Sequence, residues 1–123
     1  MGGTRTPGAA VLVHLCAAAQ WQEAQESGAL RPDSLREVGF VHLSSPGQVH
    51  LPANRLYAGR TDLLILHIDA TRLSSPVRWE SGLPIDPGGM LFPHLYGPLP
   101  VSAVTDVRAY LPDRHGVFLP RRC

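Results

Sequence analysis

In Asp62-Leu63-Leu64-Ile65-Leu66-His67-Ile68-Asp69, four aliphatic side chains follow one another with no polar residue between them. Successive side chains of a strand point to opposite faces, so this run predicts a strand buried on both sides at the centre of a sheet. Outward from it, Val11, Val13 and Leu15 alternate with Leu12, His14 and Cys16 in a first strand over 10–15. Val77 and Trp79 alternate with Arg78 and Glu80 in another over 77–80, and Leu91 to Tyr96 and Val107 to Leu111 read as two more. Helical spacing runs from Ala18 to Ser27 with Gly28 as its stop, and from Asp33, as cap, to Val38 with Gly39 as its end. A third helix is expected from Ser45-Pro46 to Tyr57, bent or split at Pro52. Short helical turns are expected over 69–73 and 101–104, and a mobile surface loop over the glycine- and proline-rich 81–89. The order predicts an α+β fold, a central mixed or antiparallel sheet with helices toward the N-terminus.

A chain of 123 residues holds one core, so a single domain is expected over 10–111, between a flexible tail at 1–9 and a C-terminal tail at 112–123. The net charge of +1 and the lack of an arginine stripe argue against general nucleic-acid binding. All eleven basic residues are arginine, and Arg55, Arg60 and Arg78 leave a small local anion site open. The two cysteines, Cys16 and Cys123, make neither a disulfide framework nor a zinc motif, which fits a reducing cytoplasm. The apolar segment from Ala9 to Ala19 is short and carries His14, so no membrane span or signal peptide is expected.

Polar groups inside apolar strands mark the candidate site. An imidazole or hydroxyl removed from water costs roughly 1–3 kcal/mol unless it gains a partner. His14, His42 and His94 all fall in expected strands, His42 in one over 40–44 where it shares a face with Phe40 and Ser44. Each is equally well read as a histidine satisfied by backbone, whereas His50, His67 and His115 read as ordinary surface or core. No histidine pair has helical metal-ligand spacing, so no metal is expected. Ser44 lacks a nucleophile elbow, and Gly88-Gly89 lacks the strand-loop-helix frame of a phosphate cradle. Glu80 ends its strand beside Trp79, where a carboxylate can bond a ribose hydroxyl and stabilise positive charge at a sugar carbon. Trp79 and Tyr96 offer planar faces for stacking on a ring or for packing in the core.

His14, Trp21, Gly39-Phe40-Val41-His42-Leu43-Ser44, Gln48, Ala53-Asn54, Asp62-Leu63, Ile68-Asp69, Trp79-Glu80 and Phe92-Pro93-His94-Leu95-Tyr96-Gly97-Pro98-Leu99 occur in that order. Together, from about Leu12 to Tyr110, they resemble the bacterial family known as domain of unknown function 952. That family resembles a compact relative of the ADP-ribosyltransferase fold, and Phe40 to Ser44 is similar to the His-x-His-Leu-Ser strand of RNA 2'-phosphotransferases, with Phe40 standing at the first histidine. The resemblance implies an enzyme acting at a ribosyl centre, by ADP-ribosyl transfer or NAD glycohydrolysis, with NAD as substrate. It implies Glu80 and His42 as catalytic residues and His14, Ser44, Gln48, Asn54, His94 and Tyr96 as ligand-binding ones. This chain departs from the larger group in having Arg78 two residues before Glu80, and Leu15-Cys16 rather than Gly-Thr after His14. The alternative is a non-catalytic module that binds a nucleotide-like small molecule or a protein in the same cleft.

Overall fold

The computed structural model describes residues 11–81 and 89–120, so the tail at 1–9 and all but the ends of the loop expected over 81–89 lie outside the described residues. Eleven elements follow in order: β1 (Val11–Ala17), α1 (Ala18–Ser27), β2 (Ala29–Leu30), α2 (Asp33–Glu37), β3 (Val41–His42), α3 (His50–Tyr57), β4 (Leu63–Asp69), β5 (Val77–Ser81), β6 (Leu91–Leu95), β7 (Leu99–Pro100) and β8 (Val104–Ala109). One-turn 3-10 helices at Ala70–Arg72 and Val101–Ala103 stand where short helical turns are expected. The fold is α+β, and every ladder in it is antiparallel.

The aliphatic run lies at the centre of the ladder β1-β4-β8. Leu63 and Ile65 pack on one face with Val13, Val49, Ala53, Tyr110 and Phe118. Leu66 and Ile68 pack on the other with Leu12, Cys16, Val41, Leu95 and Leu99. Both faces are covered, which is why no polar residue interrupts the run. Gly28 ends α1 at φ 95°, a left-handed position that glycine adopts without a Cβ clash.

Two expectations need correction. The strand expected over 40–44 is paired only at Val41–His42, and Ser44 forms an isolated bridge to Val13. Leu43 donates its N–H to the Pro93 carbonyl at 3.0 Å, but proline has no N–H to return, so the ladder between β3 and β6 stops there. The third helix starts at His50 rather than Ser45, and the Gln48 side chain holds the preceding turn by accepting the Ser45 N–H at 3.0 Å. Pro52 therefore sits in the first turn, where its missing N–H has no partner to lose, and the helix begins before it rather than being split by it.

A second ladder, β3-β6-β5, lies beside the first, and a two-stranded pair β2-β7 is separate from both. The two large ladders meet at the Val13–Ser44 bridge, where Val13 N–H donates to Ser44 O at 2.8 Å and Ser44 N–H to Val13 O at 2.9 Å. One antiparallel step further, the carbonyl of His42 would accept from the backbone of β1. It accepts instead from the His14 side chain, Nδ1 to O at 2.7 Å. The strands part at this imidazole.

The residues after β8 fold back over the first ladder. Phe118 is buried and stacks on Tyr110 with centroids 4.9 Å apart. Asn54 clamps its backbone, Nδ2–H donating to Phe118 O at 2.8 Å and Oδ1 accepting Phe118 N–H at 2.7 Å. Asn54→Ala breaks both bonds and is expected to cost about 2 kcal/mol in urea denaturation; an unchanged midpoint would show that the clamp holds nothing.

Burial pushes the His14 imidazole down from its ordinary 6.5 to about 4, against a smaller upward pull from the His42 carbonyl. Between those values the unfolded chain binds a proton at His14 that the folded chain refuses, so stability is full above 6.5 and is lost as the pH falls to about 4. The loss attributable to His14 is about 3 kcal/mol. His14→Gln, which keeps a side-chain donor but does not titrate, should abolish most of the acid-side loss in denaturation curves taken from pH 8 to pH 4; an equal loss in the variant sinks the assignment.

Candidate functional site

Where β1 and β3 part, a cleft of about 250 Å³ opens, lined by His14, Cys16, His42 and Ser44 from the strands. Its other walls include Gln20 from α1, Leu30, Pro32, Asp33 and Ser34 from the end of β2 to the start of α2, and Pro52, Leu56 and Tyr57 from α3. A carbonyl oxygen only accepts, so the His14 proton that meets His42 O resides on Nδ1. The neutral ring then carries a bare lone pair on Nε2, and among the described residues nothing donates to it. His14 is 7% exposed. Burial raises the Cys16 thiol to about 11, so this cleft-lining sulfur stays protonated and unreactive at neutral pH.

A second cluster occupies the adjacent ladder. His42 pairs with His94 and His94 with Arg78, while Glu80 pairs with Phe92, so these side chains share one face of the ladder. His94 Nδ1–H donates to Glu80 Oε1 at 2.9 Å, and the Tyr96 hydroxyl donates to the same oxygen at 2.6 Å. These two donors, Tyr96 first, hold the Glu80 carboxyl below the usual glutamate range. Phe40 lies flat on His94, centroids 3.9 Å apart and planes 13° off parallel, and meets His42 edge-on at 5.0 Å. His94 is buried, and its Nε2 has no partner among the described residues.

His14, His42 and Ser44 thus line the cleft together, while Glu80, His94 and Tyr96 converge beside it. The two groups touch through His42, whose ring is 5.6 Å from that of His94. Burial, then His94, then Arg55 push the His42 imidazole below its ordinary value. The amides of Gln48 and Asn54 are spent on backbone: Gln48 bonds Ser45 and Leu91, and Asn54 bonds Phe118. The three arginines considered for an anion site have different neighbours. Arg60 chelates Asp62, Arg78 lies over the Tyr96 ring at 5.3 Å, and the charge of Arg55 acts on His42. Among the described residues no group of histidine, cysteine and carboxylate side chains is arranged to hold a metal, and no helix is long and apolar enough to cross a membrane. The walls contributed by Leu30, Pro32 and Leu56 were not visible as site residues in the sequence, where nothing separates them from ordinary apolar positions.

The family model of the protein of unknown function DUF952 matches residues 15–107. The crystal structure of protein CC0527 from Caulobacter crescentus is similar, with 32% identity, a TM-score of 0.75, and coverage of 90% of this chain and 93% of that one. Its solution structure matches with 31% identity, a TM-score of 0.72, and coverage of 88% and 90% respectively. No curated protein matches the chain. On the match across most of its length and the likeness to CC0527, the chain belongs to the DUF952 family.

Proposed function

We propose that the protein binds a nucleotide of the nicotinamide adenine dinucleotide type and acts at its ribosyl centre, by ADP-ribosyl transfer or by hydrolysis of the nicotinamide–ribose bond. On this reading the fold is a compact relative of the ADP-ribosyltransferase and RNA 2'-phosphotransferase fold, the ligand is a small molecule rather than nucleic acid or membrane, and the protein works in the cytoplasm. NAD is the substrate, and no metal takes part.

The observation that carries the reading is the bare Nε2 of the buried His14, in a cleft that Ser44 also lines. A neutral imidazole accepts but does not donate there, and a ribose hydroxyl has the proton to give. At about 250 Å³ the cleft is smaller than the roughly 300–1,000 Å³ that encloses a drug-sized ligand. It accommodates a ring with its sugar, leaving the remainder of a dinucleotide outside, toward the exposed Arg55 and Arg78.

In the reaction, the bond from the sugar carbon to nicotinamide nitrogen breaks and its electron pair leaves with nicotinamide. An acceptor oxygen forms the new bond to that carbon and releases its proton to solvent. Glu80, ionised and fixed at one oxygen, stabilises the positive charge that develops at the sugar. His42, next to the cleft and in contact with His94, orients the ribose or its phosphate.

A second reading, a non-catalytic nucleotide- or protein-binding module, draws on a specific observation: Glu80 is not among the residues lining the cleft. Calorimetric titration with NAD, ADP-ribose and nucleotide 2'-phosphates, with nicotinamide release followed in parallel, separates the two. NAD should bind saturably, and His14→Ala should weaken binding roughly tenfold, the equivalent of one hydrogen bond. Glu80→Gln should leave binding within about twofold and cut nicotinamide release by about 10²-fold. Binding without turnover in the unmodified protein moves the conclusion to the module; no binding of any of the ligands overturns both.

A further inference from the structure

Glu80 is held differently from Asp62, Asp69 and Asp106. Asp62 is chelated by Arg60, Asp106 is bonded by Arg108, and Asp69 caps a 3-10 turn while meeting Arg72. Those carboxylates have their charge offset by a guanidinium. Glu80 takes its hydrogen bonds from a phenol and an imidazole, both on one oxygen, and among the described residues no donor reaches Oε2.

The register shows that this arrangement is built rather than incidental. Glu80 stands opposite Phe92, and His94 stands opposite Arg78. Tyr96 lies further along the same strand direction, its N–H donating to Pro76 O at 2.9 Å. Four residues from Phe92 to Tyr96 span about 13 Å of extended chain. The Glu80 side chain therefore leans back along the ladder, across His94, to meet the Tyr96 hydroxyl, instead of extending over its own neighbour into solvent. Each clamp is itself held: Phe40 stacks on His94, and Arg78 lies over the Tyr96 ring.

We infer that Tyr96, with His94, is a positioning residue for Glu80: the pair fixes the carboxylate at Oε1 and leaves Oε2 as a preorganised acceptor on the same face of the ladder as His42. The clamp stands on its own geometry, and only the catalytic use of Oε2 rests on the function proposed above. The device holds a carboxylate in one rotamer through a phenol and an imidazole, while the Arg78 guanidinium acts on it by charge without a direct ion pair among the described residues, so the negative charge a developing cation needs is retained. The groups facing Glu80 are Arg78 on its own strand and His94 and Tyr96 on β6, with His42 of β3 behind His94. A phenol bond to the charged form favours ionisation, so losing it raises the carboxyl.

The test is a carbon-13 titration of the Glu80 carboxyl, assigned with Glu80→Gln. Tyr96→Phe should move its midpoint up by roughly one pH unit, while a merely structural tyrosine would leave it in place. The reciprocal measurement covers a Tyr96→Phe chain that fails to fold: the hydrogen bond to Glu80, then burial, hold the Tyr96 phenol above its ordinary value, and Glu80→Gln should bring it down toward that value. An unmoved Glu80 midpoint in folded Tyr96→Phe, or an unmoved Tyr96 phenol in Glu80→Gln, overturns the clamp. In nicotinamide release, Tyr96→Phe should lower kcat with KM held within about twofold, its acid limb moving up with the Glu80 midpoint. Titrations that shift as stated in a protein that never turns over NAD uphold the clamp and overturn the proposed reaction.

Discussion

The bond from His14 Nδ1–H to the His42 carbonyl is the contact on which the candidate site depends. It replaces a backbone rung with a side chain, and a side chain is wider than a backbone. The two ladders consequently stay attached at Val13–Ser44 and separate immediately beyond it. Continued pairing of His14–Cys16 with Val41–Leu43 would have closed the space that the cleft now occupies. The same bond fixes the tautomer, and burial keeps the ring neutral, so geometry and protonation state have a single origin.

Pro93 plays the complementary part from the other side of β3. Proline in an inner strand removes a ladder donor, and here it lies between β3 and β5 in a strand flanked on both edges. Its effect is to end β3 early, leaving Leu43 and Ser44 to turn toward β1. The next residue, His94, then faces Phe40 and His42 on one neighbouring strand segment and Glu80 on the other. One short strand thus links the cleft wall to the carboxylate.

The parts of this architecture that were legible in the sequence are those set by local pattern. Four consecutive aliphatic residues have one economical placement, a strand covered on both faces, and Leu63 to Leu66 take it. Helix α1 was readable to its ends because Gly28 supplies a stop within the segment itself. The sheet's parting was not readable, since it arises between His14 and His42, 28 residues apart, and no alternation pattern encodes which carbonyl an imidazole will meet. Asn54 shows the same limit: its amide is matched to a backbone 64 residues away, and the sequence carries no mark of that partner. For the candidate site, the residue types and strand faces of His42, Ser44, Glu80 and His94 were legible. The division into a cleft and an adjacent clamp depends on register between strands, which sequence spacing alone does not supply.

That division has an electrostatic consequence for any ligand. The cleft offers a lone pair at His14, a hydroxyl at Ser44 and the Asp33 carboxylate, but among the described residues no arginine lines it. A phosphate has no proton to give His14 near neutral pH, and Asp33 repels it. The exposed guanidinium groups of Arg55 and Arg78 are not among the residues lining the cleft; the charge of Arg55 acts on His42, and Arg78 lies over the Tyr96 ring. Under the proposed reading a nucleotide therefore enters with its uncharged ring or sugar first and keeps its phosphates at the rim. The sugar carbon then comes to rest between the His14 acceptor and the face that carries Glu80, so reaction requires the ligand itself to bridge the two halves that His42 separates.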